Sequence, residues 1–232
     1  MFFMKSAIFT YLQRCPPALE FFKQLERAGN IYLIGGVLRE FRDHGKIINL
    51  RDIDIIVDIS HADLWENLLD TYLFKTNRFG GYKLQCQSLL VDTWKIEETW
   101  AFRNNIIRCT ASDYVMRLPE TVFLNVDSII YDWTAEKWYD AIYQKAMQSN
   151  VLDVVLAENP QLLLNIIRAF VLKDRYHMQF SDKLKCIILD ALEDDRSLSD
   201  FTKKLYMEQI RRYKSEILPR DYIYNELKLL IP

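Results

Sequence analysis

Positions 52–58 read Asp-Ile-Asp-Ile-Ile-Val-Asp, and no other stretch of the chain restricts its fold as tightly. Ile53, Ile55, Ile56 and Val57 are stiff at χ1 and suit a pleated sheet better than a helix. Asp54–Val57 therefore reads as a buried strand. Asp52 and Asp54 sit two apart at its start, so both side chains leave the same face. Two carboxylates side by side repel each other unless a cation lies between them. Mg²⁺ takes one or two protein carboxylates plus waters and substrate phosphates, and such a pair can offer that. The plain alternative is a solvated strand end, and Asp58 shows that the segment has acids to spare.

The preceding segment narrows the choice. Ile31–Ile34 reads as a short buried strand, and Gly35-Gly36, two of only 6 glycines, turn it into a helix around Val37–Asp43. Glycines between a strand and a helix let the backbone approach a phosphate closely. The helix N-terminus adds amide donors and a favourable dipole. Arg39, one turn into that helix, is spaced to reach the same phosphates as a bidentate donor. An ordinary strand-to-helix turn is the alternative. No G-x-G-x-x-G or Walker signature is present, which disfavours those phosphate-binding folds.

Elsewhere, residues 5–29 read as two amphipathic helices interrupted by Pro16-Pro17, with Gly29-Asn30 as the stop. Ala62–Tyr72 reads as a helix, Gly80-Gly81 as a tight turn, and Tyr82–Cys86 and Ser88–Trp94 as strands. Asp92, near the end of the latter, supplies a third acid on a strand expected to neighbour the first. This order predicts an α+β fold, a mixed sheet with helices on one face. From about Asp140 the pattern turns helical, over Pro160–Met178, Asp182–Leu192, Asp200–Ile217 and Tyr222–Leu230, and no strand pattern survives. The expected domains are 1–145 and 146–232.

Bulk properties exclude more than they assign. The 232 residues carry a net charge of −2, so nucleic acid would need a local basic patch; Lys203, Lys204, Arg211, Arg212 and Lys214 are the candidates. Cys15, Cys86, Cys109 and Cys186 show neither zinc nor disulfide spacing and suit a reducing cytosol. His44, His61 and His177 have no ligand spacing. The N-terminal apolar residues are too few to span a bilayer and read as a helix start, giving a cytoplasmic protein with no membrane partner. Trp133, Trp138, Tyr139 and Tyr143 suit a core face better than base stacking. Glu193-Asp194-Asp195 reads as a solvated helix end. The apolar, aromatic helices after Asp140 suggest that a second copy or a protein partner covers them.

Taken together, Tyr32–Glu40 (YLIGGVLRE) and Arg51–Asp58 (RDIDIIVD) resemble the head domain of bacterial-type poly(A) polymerases and CCA-adding tRNA nucleotidyltransferases. That family lies within the DNA polymerase beta-like nucleotidyltransferases. The resemblance implies a polymerase beta-like head followed by a helical neck. It implies that Gly35, Gly36 and Arg39 face a nucleoside triphosphate, ATP or CTP, and that Asp52, Asp54 and Asp92 hold Mg²⁺ or Mn²⁺. A weaker likeness of Phe123–Asp132 and Ala157–Phe170 to later family segments adds Asn125 and Arg168 as nucleotide-binding residues. Departures are concentrated there. Pro119, Glu120 and Thr121 replace an Arg-Arg-Asp, and Asn159 and Leu162 replace the base-reading Asp and Arg. The implied activity is transfer of a nucleoside monophosphate to an RNA end, tRNA among the acceptors. The alternatives are a toxin or defence enzyme modifying tRNA or protein, and a non-catalytic nucleotide-binding module.

Overall fold

The computed structural model describes residues 4–48, 52–72, 75–77, 79–86 and 89–231. Residues 1–3, Arg51 and Ser88, on which expectations above fall, lie outside them. Chain contacts divide the molecule into two compact units, Met1–Thr121 with Asp127–Ala141, and Val122–Val126 with Ile142–Pro232. No helix among the described residues is long and apolar enough to cross a membrane.

The first unit opens with α1 (Met4–Leu12) and α2 (Pro16–Ala28). Pro16 and Pro17 do not break a helix but begin one, because the first helical positions need no backbone N–H partner. α2 buries Ala18, Phe21, Phe22, Leu25 and Ala28 along one face. Each fully buried Phe there contributes about 1.5–3 kcal/mol. Gly29 then passes directly into β1 (Gly29–Ile34), two residues earlier than the sequence suggested. A Cβ at Gly29 would sit 2.1 Å from the Asp58 carbonyl oxygen, so only glycine lets helix and strand join at this spot.

After α3 (Gly36–His44) come β2 (Asp52–Ile59), α4 (Ala62–Thr71), β3 (Lys75–Thr76), β4 (Tyr82–Cys86) and β5 (Leu89–Lys95). Two short helices, α5 (Trp100–Arg103) and α6 (Tyr114–Arg117), precede β6 (Ile130–Asp132) and β7 (Lys137–Tyr139). The seven strands form one mixed sheet in the order β3-β4-β5-β2-β1-β6-β7. β2 and β5 are parallel, and the other neighbours are antiparallel. Ile53, Ile55, Val57, Ile31 and Leu33 are completely buried on the face where Trp65 of α4 meets Tyr82 edge-on. Asp52 and Asp54 belong to the opposite parity and so to the opposite face.

The second unit is mainly helical: α7 (Ala141–Ser149), α8 (Leu162–Tyr176), α9 (Asp182–Glu193), α10 (Leu198–Tyr213) and α11 (Arg220–Lys228). It also contains a two-stranded parallel ladder, β8 (Val151–Leu152) against β9 (Gln179–Phe180), where no strand was expected. Strands of two residues are too short to leave a period in the sequence. α8 starts two residues later than expected because the Asn159 side chain accepts from the Gln161 amide and holds a turn there. α10 starts at the Ser197 cap and ends at Lys214, which adopts φ 59. Beyond it, the fully buried Gln209 side chain donates to the Leu218 carbonyl and accepts from the Leu218 amide.

Candidate active site

The sheet register assembles the acids. Asp54 of β2 lies directly opposite Asp92 of β5, and Asp52 lies two residues before Asp54 on the same face. Parallel neighbours stand about 4.8 Å apart, so the carboxylates share one patch. The row continues across β4, where Lys83 is the cross-strand partner of Asp92. Its Nζ lies 3.0 Å from Asp92 Oδ2. Sequence reasoning missed Lys83. Only the β4–β5 register reveals it, and no period within the segment carries that information.

The turn beside this row has one demanding glycine. Gly35 adopts φ 85, a conformation that a side chain would strain. A Cβ there would also come within 3.0 Å of Asp54 Oδ2, so the turn and the carboxylate are fitted to each other. Gly36, by contrast, is the first residue of α3, and a Cβ on it would meet nothing nearer than 3.9 Å. The two glycines are thus unequal: the first shapes the site and the second has room to spare.

Arg39 does not extend from the helix toward the acid row alone. Its guanidinium donates to Asp127, and the two side chains are only 12% and 6% exposed. Asp127 follows the expected nucleotide-binding Asn125 by two residues, but this pairing was not legible from spacing. One turn on, Arg42 pairs with Asp140 and lies 3.9 Å over the Trp138 ring. α3 is therefore clamped to the segment around β6 and β7 by two Arg–Asp pairs. The aromatic residues serve packing. Trp133 is buried against Phe9 and Phe22, and Trp138 stacks on Phe41.

The electrostatics of this face are negative. Burial first, then Asp132 and Asp58, push the Tyr32 hydroxyl well above the ordinary tyrosine range, so it stays protonated. On the other face, where Tyr131 lies opposite Leu33, burial and the nearby Glu136 and Asp132 push its hydroxyl up to about 12.

Carboxylate oxygens on one face are the donor type that Mg²⁺ and Mn²⁺ prefer. Among the described residues, no three His, Cys, Asp or Glu side chains converge closely enough to hold a metal by themselves. Mg²⁺ is usually bound by one or two carboxylates plus substrate phosphates, and the in-register Asp54 and Asp92 offer that number of carboxylates. The fit is one of face and donor chemistry.

The remaining candidates belong to the second unit. Asn125 is buried, and its amide donates to the Val151 carbonyl and accepts from the Asp153 amide. Arg168 lies half-buried on α8. Asn165, one turn earlier, is 5% exposed, and its Nδ2 has no hydrogen-bond partner among the described residues. The basic patch is of mixed charge. Lys204 pairs with Asp195 at 2.8 Å, and Arg211 pairs with Glu208. Asp195 is accordingly no solvated helix end: its side chain is 7% exposed, and Lys204 holds its carboxyl below the usual range.

Comparison with solved structures concerns the fold. A CCA-adding enzyme in complex with ATP superposes with a TM-score of 0.62 at 15% identity, over 95% of this chain and 52% of that one. The Thermotoga maritima CCA-adding enzyme complexed with tRNA gives 0.59 at 15% identity, over 93% and 51%. A tRNA-processing enzyme with CTP gives 0.53 at 16% identity, over 87% and 55%. No family model and no curated protein sequence matches. The chain spans about half the length of these structures. It has the α+β fold that they share, a mixed sheet with helices following it.

Proposed function

We propose that the protein is a metal-dependent nucleotidyltransferase that moves a nucleoside monophosphate from a triphosphate, ATP or CTP, to a hydroxyl at an RNA end, with tRNA as the first acceptor to test. The observation that carries this reading is the register of Asp54 opposite Asp92, with Asp52 on the same face and the Gly35 turn against Asp54.

In this reading the Gly35 turn and the N-terminus of α3 receive the triphosphate, where the amides and dipole favour an anion. Asp52, Asp54 and Asp92 would hold Mg²⁺ or Mn²⁺, which would lower the pKa of the acceptor hydroxyl and neutralise the departing pyrophosphate. The acceptor oxygen attacks the α-phosphorus in line, and the bond to the β-phosphate oxygen breaks. Asp92 is the nearest candidate to take the hydroxyl proton. Arg39, held by Asp127, fixes α3 and hence the turn, a positioning role in place of the direct phosphate contact expected from spacing. Most of the rate then comes from orientation and preorganised charge. The fold likeness to enzymes solved with ATP, CTP and tRNA supports this choice of substrates.

The test is label transfer and pyrophosphate release with each nucleoside triphosphate, Mg²⁺ or Mn²⁺, and total RNA and protein as acceptors. Asp54→Asn should lower transfer by about 10³-fold or more, given that a single electrostatic group at such a centre is worth 10²–10³. Its circular dichroism and melting should match the wild type. Tight triphosphate binding without release under any metal would leave a non-catalytic binding module, and labelled protein would redirect the reading to protein hydroxyls.

A further inference from the structure

The least expected member of the acid row is a base. We propose that Lys83 is the resident counter-cation of Asp92, a positioning residue that keeps this carboxylate from holding a divalent ion until substrate arrives. The inference deepens the nucleotidyltransferase reading and rests on it.

Lys83 and Asp92 face each other across β4 and β5, and their charged atoms lie 3.0 Å apart. Asp92 keeps only 15% of its side chain exposed, and Asp54 stands in register on its other side. A carboxylate with so little water, next to another acid, requires a positive charge nearby. The ammonium supplies it. Lys83 itself is 37% exposed, so its flexible stem can swing away without unpacking the sheet. An ammonium donates hydrogen bonds to oxygens but does not coordinate them as a Lewis acid, so it does not acidify a hydroxyl as a divalent metal does. On the nucleotide-free face Lys83 therefore offsets the charge of Asp92. A triphosphate brings both a metal and negative charge, which can draw Lys83 off Asp92.

Binding of Mn²⁺ to the nucleotide-free chain, followed by the loss of the free-ion electron paramagnetic resonance signal, tests the idea without any turnover. Lys83→Met should bind Mn²⁺ about tenfold more tightly than the wild type, a factor equal to about 1.4 kcal/mol. Lys83→Arg, which keeps the charge, should bind as the wild type does. In Lys83→Met/Asp92→Asn the gain should vanish. Lys83→Gln serves as a second neutral variant, and thermal melting checks that each variant folds. Equal affinities for wild type, Lys83→Met and Lys83→Gln would overturn the proposal while leaving the parent reading intact, provided that Asp54→Asn still weakens Mn²⁺ binding. If Asp54→Asn changes nothing either, or if no variant binds Mn²⁺, both readings fall together.

Discussion

In the first unit, the acids that carry the resemblance stand in register across two central strands, with a lysine closing the row. In the second unit, Asn125, one of the two residues that extend it, is bonded to the backbone scaffold, and so is Asn159, one of the departures. Asn125 ties Val151 to Asp153, and Asn159 holds the turn ahead of α8. The difference teaches what a motif can and cannot say. A carboxylate pair on a strand has few structural uses, so its presence argues for chemistry. An asparagine amide is a ready backbone partner, and a matched position guarantees nothing about a ligand.

Variants can sharpen or break this contrast. After the loss of transfer expected for Asp54→Asn, the largest effect should come from Arg39→Met, if Arg39 has the positioning role proposed above. It removes the guanidinium from the nearly buried Asp127 and should cost about 3–5 kcal/mol in urea unfolding. Adding Asp127→Asn should recover much of that loss. If Arg39→Met instead melts normally and only weakens triphosphate binding, Arg39 belongs with the acids after all.

Asn125→Ala should cost about 2–3 kcal/mol, since it leaves a buried carbonyl and amide unsatisfied. Normal stability with impaired nucleotide binding would erase the contrast between the units. Gly35→Ala should cost about 1–3 kcal/mol through backbone strain and crowd Asp54 as well. Gly36→Ala should be neutral or gain up to about 1 kcal/mol, because alanine suits a helix better than glycine. Equal effects of the two would mean that the turn is not fitted to the acid.

The smallest effect concerns pH. The Asp195 carboxyl is held low by Lys204, so the stability it lends is present above the unfolded-state value of about 3.9 and disappears as pH falls through the lower folded value. Melting profiles of Lys204→Met should therefore be flatter than those of the wild type below about pH 4. Parallel profiles would show that the pair is not maintained in solution.

The comparison also explains what was legible in the sequence. β2 and the turn at Gly35 were readable because β-branched runs and paired glycines have local causes, whereas β4 carries no β-branched residue and was framed by the Gly80-Gly81 turn. Strand parity alone puts Asp52 and Asp54 on one face, while Asp92 joins them through the β2–β5 pairing. Lys83 and the Arg39–Asp127 pair were hidden, since both depend on which strands or segments become neighbours. The Pro16-Pro17 start of α2 was readable in principle: a proline pair ahead of an amphipathic run marks a beginning more often than a break. β8 and β9 carry no local signal, and they exist because the surrounding helices hold two short segments side by side.

The interleaving of the two units has a consequence for the order in which the chain can acquire its structure. Residues Val122–Val126 are followed by Asp127–Ala141, which belong to the first unit, before the second resumes at Ile142. Leu124 bridges to Val154, and Asn125 exchanges hydrogen bonds with Asp153, nearly thirty positions later. During synthesis, then, this five-residue piece leaves the ribosome well before its partners exist. The first unit can complete β6 and β7 while that piece waits, and only the emergence of residues 150–156 gives it a place. A fragment ending at Ala141 would carry Val122–Val126 as an orphan, with Phe123 and Leu124 exposed and a tendency to aggregate that the whole chain does not have.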